Sequence, residues 1–228
     1  MSAIHLLLER FRDSLPLVYQ DRIFVIPNGV KTDSIAPVFG RLPRIISVGR
    51  LEPQKRHDRL IRAFHQLKGK FPEWEVHIFG EGSERQNLSN QIDELGLVGR
   101  VFLRGISEEI EKELNSASIF VIASEFEGFG IVVLEAQRAG IPCVAYDNCN
   151  GPNELITDGR DGLLIPTDNT SDTLSDALEM LIRTPRLREA MGEAGRQNVR
   201  RYGLTGIIGK WEAMIEAVIR AESAQVVS

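Results

Sequence analysis

Glu127 and Glu135 lie on either side of Gly128-Phe129-Gly130-Ile131, a few residues after the apolar run Ile119-Phe120-Val121-Ile122. A strand that breaks into such a loop and re-emerges as a helix leaves unpaired N–H groups and about half a positive charge at the helix mouth. Phosphate binds at such a mouth. Carboxylates repel phosphate, so these two are suited to accepting hydrogen bonds from sugar hydroxyls on either side of a diphosphate. If the helix starts near Gly130, Glu135 lies about 7.5 Å along its axis while Glu127 stays in the loop. One carboxylate then faces a transferred sugar and the other a ribose, the two ends of a nucleotide sugar. A plainer reading remains open on spacing alone: Glu127 favours the helix dipole and Glu135 is solvated.

Cations form a second constellation. Arg44-Ile45-Ile46-Ser47-Val48-Gly49 reads as a buried strand ending in glycine. Arg50, Lys55 and Arg56 follow, and then an amphipathic helix from about Asp58 to Lys68. Ligands bind beyond the carboxyl ends of strands in open parallel sheets, where Arg50 and Lys55 can supply charge-assisted bonds to two phosphates.

Positioning these groups requires a framework. Strand runs at Arg44–Val48, Glu75–Phe79, Val101–Leu103, Ser118–Ile122, Cys143–Tyr146 and Leu163–Ile165 alternate with helical stretches. That alternation predicts an α/β domain with a doubly wound parallel sheet. Three helical patterns, Thr173–Arg183, Pro185–Arg201 and Ile207–Ala221, follow without a strand between them. Ser2–Asp13, with Leu6, Leu7, Leu8 and Phe11, reads as a further helix.

Taken together, these residues resemble the C-terminal, nucleotide-sugar-binding half of a retaining family 4 glycosyltransferase (glycosyl transferases group 1), which has the two-domain GT-B fold. The resemblance rests on Gly49-Arg50 with Lys55, on Ser124–Gly130 followed by Glu135, and on Ala139-Gly140-Ile141-Pro142-Cys143-Val144. Ile26-Pro27-Asn28-Gly29-Val30 is similar to the family's inter-domain segment. Glu154-Leu155-Ile156, Asp158-Gly159 and Gly162-Leu163-Leu164 are similar to its later strand region. Ala123 departs from the pattern, since a proline usually precedes the serine; proline there only stiffens the loop.

The resemblance implies a Rossmann-like domain over residues 23–203, preceded by an N-terminal helix and linker (1–22) and followed by a C-terminal helix and tail (204–228). It implies that Arg50 and Lys55 hold the donor diphosphate, with Gly49 beside them, and that Gly128 and the amides of Phe129, Gly130 and Ile131 cradle it. Glu135 would bind the ribose, and Glu127 the sugar hydroxyls and the oxocarbenium-like state. Arg104 and Gly105 would lie against the base, with Gly80 and Gly82 in a loop near the donor. The implied catalytic set is Glu127, Arg50 and Lys55. The implied reaction transfers a hexose or N-acetylhexosamine, with retention and without a metal or other cofactor, from a nucleotide diphosphate sugar, UDP-linked by the Asn150–Glu154 loop. The implied acceptor is a glycan or lipid-linked glycan in polysaccharide assembly. Only about 25 residues precede the inter-domain segment, so a separate N-terminal acceptor domain is expected as partner, and Ile207, Ile208, Trp211 and Ile215 are expected to be underpacked. The alternatives are a nucleotide-sugar-binding module without turnover and a GT-B-type epimerase or phosphorylase.

Composition excludes other classes. With 228 residues, 43% of them hydrophobic, the chain can bury a full core, and a net charge of −5 argues against general nucleic-acid binding. Arg196, Arg200 and Arg201 read as a solvated basic face. No apolar run approaches the roughly 20 residues that span a bilayer, and the first 20 residues lack an apolar signal core. The expected location is the cytoplasm, with at most peripheral contact at the inner face of the membrane. Cys143 and Cys149 read as reduced thiols, and His5, His57, His65 and His77 have no metal-ligand spacing. Gly80-Glu81-Gly82 follows a strand as a dinucleotide fingerprint does, but Arg85 stands where the third glycine is needed, which argues against NAD. A hydrolytic carboxylate pair would leave the basic loop without a role.

Overall fold

A computed structural model describes residues 3–32, 40–167 and 170–226. The chain divides into two compact units, Met1–Ser34 with Val199–Ser228, and Ile35–Asn198. These boundaries lie inside the expected ones at 22/23 and 203/204.

The first unit contains β1 (Ile4–Leu6) and β2 (Ile23–Val25), which pair in parallel with Ile4 opposite Ile23. Two 3-10 segments, Glu9–Ser14 and Leu17–Arg22, connect them. The expected N-terminal helix is therefore absent from the described residues, and its expected start, Ser2, lies outside them. Leu6 pairs with Val25 in the sheet and Leu8 is buried, so non-local partners override the local helical pattern.

The second unit begins its ordered elements with β3 (Arg44–Val48), α1 (His57–Leu67), β4 (Glu75–Phe79), α2 (Arg85–Glu94), β5 (Val101–Gly105) and α3 (Ile110–Ser116). It continues through β6 (Ile119–Ile122), α4 (Ile131–Ala139), β7 (Cys143–Tyr146), α5 (Asn150–Leu155), β8 (Gly162–Ile165), α6 (Asp172–Arg183) and α7 (Pro185–Val199). The long helix α8 (Leu204–Val226) belongs to the first unit.

β3 to β8 form one parallel sheet in the order β5-β4-β3-β6-β7-β8. This is the doubly wound order, and its switch point falls between β3 and β6, where chain direction across the sheet reverses and a crevice opens at the carboxyl ends. The strands are apolar on both faces because helices cover both. Ile45, Val76, Ile78, Ile119, Val121 and Val144 pack with Leu60, Phe64, Leu88 and Leu178 of α1, α2 and α6. The alternate residues Ile46, Phe120, Ile122 and Cys143 are buried on the other face, where α3 and α4 lie against β3, β6 and β7.

In α8, Ile208, Trp211 and Ile215 are exposed as the sequence suggests, but Ile207 is buried. Gly29 explains the difference: a Cβ there would come within 3.2 Å of the Ile207 side chain, so the absence of one lets the helix close on that segment.

Candidate active site

The β3, β4 and β5 ends are stacked through their backbones. Gly49 N–H donates to Phe79 O at 2.9 Å, Gly80 N–H to Gly105 O at 2.8 Å, and Leu51 N–H to Glu81 O at 2.9 Å. A Cβ on Gly80 would lie 1.9 Å from Gly49 O, and one on Gly82 2.4 Å from Leu51 O, both at positive φ. These two glycines thus have a packing role: they let the β4 loop press against the Gly49–Leu51 backbone.

Beyond Gly49 the chain makes a 3-10 turn, Pro53–Lys55, and Arg56 adopts a left-handed conformation, φ 49° and ψ 38°. That geometry costs an L-residue about 1–2 kcal/mol. Bonds from the Arg56 guanidinium to Asp58, at 3.0 and 3.2 Å, and to the Glu125 carboxylate offset it.

Glu125 belongs to the loop after β6. Its backbone N–H donates to Gln54 O at 2.9 Å, and its carboxylate also accepts from Arg59 at 3.3 Å. Arg59 is buried and lies over the Tyr146 ring. The loops on either side of the switch point are therefore clasped together. Two residues further along, Lys55 Nζ meets Glu127 Oε1 at 2.5 Å, and the Ser124 hydroxyl donates to the same oxygen at 2.8 Å. The Lys55 and Glu127 side chains are only 14% and 13% exposed. Arg50 is exposed and makes no side-chain hydrogen bond or ion pair with any described residue.

Gly130, φ 82°, opens α4 without a side-chain cap; Val133 N–H donates to Gly130 O at 2.9 Å, and the N–H groups of Ile131 and Val132 are left without an intrahelical partner. Phe129 anchors this mouth: its side chain is buried, and a Cβ on Gly151 at the start of α5 would sit 2.3 Å from Phe129 O. Gly128 and Ile131 are exposed beside it. Glu135, half-buried on α4, has its carboxyl pushed above the usual range by burial; Arg138 pulls it down and Glu111 raises it. Arg104 is exposed and shares with Arg85 and Ile106 a groove of about 1120 Å³ along the outer edge of β5.

Of the sequence-predicted residues, Gly49, Lys55, Gly80, Gly82, Gly105 and Glu127 are joined by direct contacts or close approach. Glu135 and Arg104 have no direct side-chain bond to that group. Arg56 and Glu125 lie in the quoted motifs but were given no role by sequence reasoning, and Arg59 was not named. The available signal was the matching of charge, Lys-Arg in one loop against Glu-x-Glu in the other.

His57 underlies the basic loop. Its Nδ1 is 3.4 Å from Ser47 Oγ, and its buried Nε2 faces the Gly49–Arg50 backbone outside good hydrogen-bond geometry. Burial, the largest cause, lowers its pKa to about 4. The unfolded chain takes up this proton below about pH 6.5 whereas the folded chain excludes it, so stability is full above that pH and declines towards pH 4. We expect His57 to account for roughly 3 kcal/mol of that loss. Chemical denaturation across this range should show a shallower acid decline for His57→Gln; an unchanged slope would remove His57 as its source.

The family model of glycosyl transferases group 1 matches residues 33–198, nearly the same run as the second compact unit. The chain belongs to this family. An exopolysaccharide phosphotransferase of Streptomyces coelicolor is 36% identical over 200 residues, covering 87% of this chain and 21% of the relative. A poly(ribitol-phosphate) alpha-N-acetylglucosaminyltransferase of Staphylococcus aureus is 32% identical over 193 residues, covering 84% and 39%. Among solved structures, a mutant of S. aureus TarM in complex with fondaparinux, alpha-GlcNAc-glycerol and UDP superposes with a TM-score of 0.84 at 28% identity, covering 93% of this chain and 43% of that one. The pneumococcal O-GlcNAc transferase GtfA, in complex with UDP and GlcNAc, gives a TM-score of 0.83 at 26% identity, covering 94% and 45%. This group 1 chain thus spans less than half the length of these relatives. Its doubly wound sheet is that of a GT-B glycosyltransferase.

Proposed function

We propose that this chain is the donor half of a retaining glycosyltransferase that takes a hexose or N-acetylhexosamine from a UDP-linked donor. The acceptor is a glycan or lipid-linked glycan, and its pocket is supplied by a separate N-terminal domain. The observation that carries this reading is the Lys55–Glu127 pair, which joins the loop after β3, where Arg50 is exposed, to the loop before the uncapped mouth of α4. As the anomeric C–O bond breaks, negative charge grows on the diphosphate and positive charge on the sugar ring. Arg50, Lys55 and the α4 amides meet the first, and the Glu127 carboxylate meets the second, so all act more strongly on the transition state than on the ground state. The relatives' names, two of them with UDP in the solved complexes, support the donor class.

Thermal denaturation with added nucleotides tests the reading. UDP at about a hundred times its dissociation constant should stabilise by roughly 2.7 kcal/mol, and NAD should not. Arg50→Ala should lose most of the UDP effect. A chain that NAD stabilises and UDP does not would overturn the proposal.

A further inference from the structure

The cations around the crevice are unevenly committed. Arg56 is held by Asp58 and Glu125, Arg59 by Glu125, and Lys55 by Glu127. Arg50 is left without a side-chain partner among the described residues. A diphosphate entering this crevice therefore meets one uncommitted cation and competes for Lys55 with a carboxylate that is already largely shielded from water.

Glu127 cannot follow Lys55 freely. Its loop is pinned at Glu125 by the Gln54 carbonyl and two guanidinium groups, and at Phe129 by burial against Gly151. The Ser124 hydroxyl continues to hold Glu127 Oε1 after Lys55 leaves. The result is an oriented carboxylate that has lost its counter-charge, with acceptor capacity matched to sugar hydroxyls.

Resting on the donor-site reading above, we infer that Lys55 exchanges between Glu127 and the diphosphate, and that this exchange makes the site discriminate an intact nucleotide sugar from the free nucleotide. A nucleotide sugar occupies both partners of the broken pair, the diphosphate on Lys55 and the hydroxyls on Glu127. A free nucleoside diphosphate occupies only Lys55 and leaves Glu127 a shielded, unpaired carboxylate next to phosphate. Glu127 is thus a specificity-determining group that weakens retention of the product nucleotide.

The test is calorimetric titration of the full chain and of Glu127→Gln with UDP, inorganic pyrophosphate, UDP-glucose and UDP-N-acetylglucosamine. Glutamine keeps the shape and the Ser124 contact and frees Lys55. The variant is expected to bind UDP and pyrophosphate at least tenfold more tightly than the parent. Its preference for the better sugar nucleotide over UDP should fall at least tenfold. Glu127→Ala serves as the second variant and should behave the same way on UDP. UDP affinity that is unchanged or weaker in both variants, or an undiminished preference for the sugar nucleotide, overturns the inference alone. Failure of parent and variants alike to bind UDP and pyrophosphate overturns the donor-site reading together with it.

Discussion

Lys55→Ala is expected to abolish stabilisation by UDP and, without any ligand, to lower the stability of the chain by roughly 2–3 kcal/mol. The second effect follows from what remains. Glu127 would be left at 13% side-chain exposure with only the Ser124 hydroxyl as partner, and stranding one partner of a buried pair typically costs about 3–5 kcal/mol. The residual exposure moderates that cost. The first effect is larger than loss of one phosphate contact, since the uncompensated Glu127 carboxylate then repels the diphosphate. Affinity for UDP should fall at least about a hundredfold, close to 2.7 kcal/mol. The double variant Lys55→Ala/Glu127→Gln separates the two effects: most of the stability should return, and the parent's UDP affinity should not. Urea denaturation and calorimetry on the parent, the two single variants and the double variant would measure both. Intact UDP binding by Lys55→Ala would remove Lys55 from the phosphate site.

Gly80→Ala should be the most destabilising small substitution in the second unit, at about 3 kcal/mol or more. The added methyl would stand 1.9 Å from Gly49 O, a backbone atom with no flexible end to move aside, and φ of 143° is itself unfavourable for an L-residue. Relief requires the β3 and β4 ends to separate, breaking the Gly49–Phe79 bond and shifting Arg50. Gly128→Ala is the control, with open space around its Cβ, and should change stability by no more than about 0.5 kcal/mol. A Gly80→Ala chain as stable as Gly128→Ala would show that the strand ends are not held as tightly as their geometry indicates.

Most of the second unit was legible residue by residue. The β3, β4 and β7 runs are short segments rich in β-branched and other apolar residues, each followed by a turn residue (Gly49, Gly80, Asp147), and they appear over the expected spans. α4 begins one residue after Gly130 and α1 one residue before Asp58. The N-terminal segment misled because Leu6-Leu7-Leu8 fits a helix locally, whereas its preference is settled by pairing with Ile23–Val25. Ile207 was misjudged for a related reason: its burial depends on Gly29, far away in the chain.

What the sequence determined by itself was the alternation of buried strands with helices, the glycine-ended junctions after β3 and β6, and the residue types at those junctions. These are short-range properties, written in hydrophobic pattern and turn chemistry. Only the tertiary structure decided which charges answer one another. Lys55 and Glu127 are 72 positions apart and Arg59 and Glu125 are 66 apart, separations that no single helix or turn bridges. They meet because the sheet places β3 beside β6. Electrostatic pairing depends on distances through space, and those distances exist only once the strands are ordered.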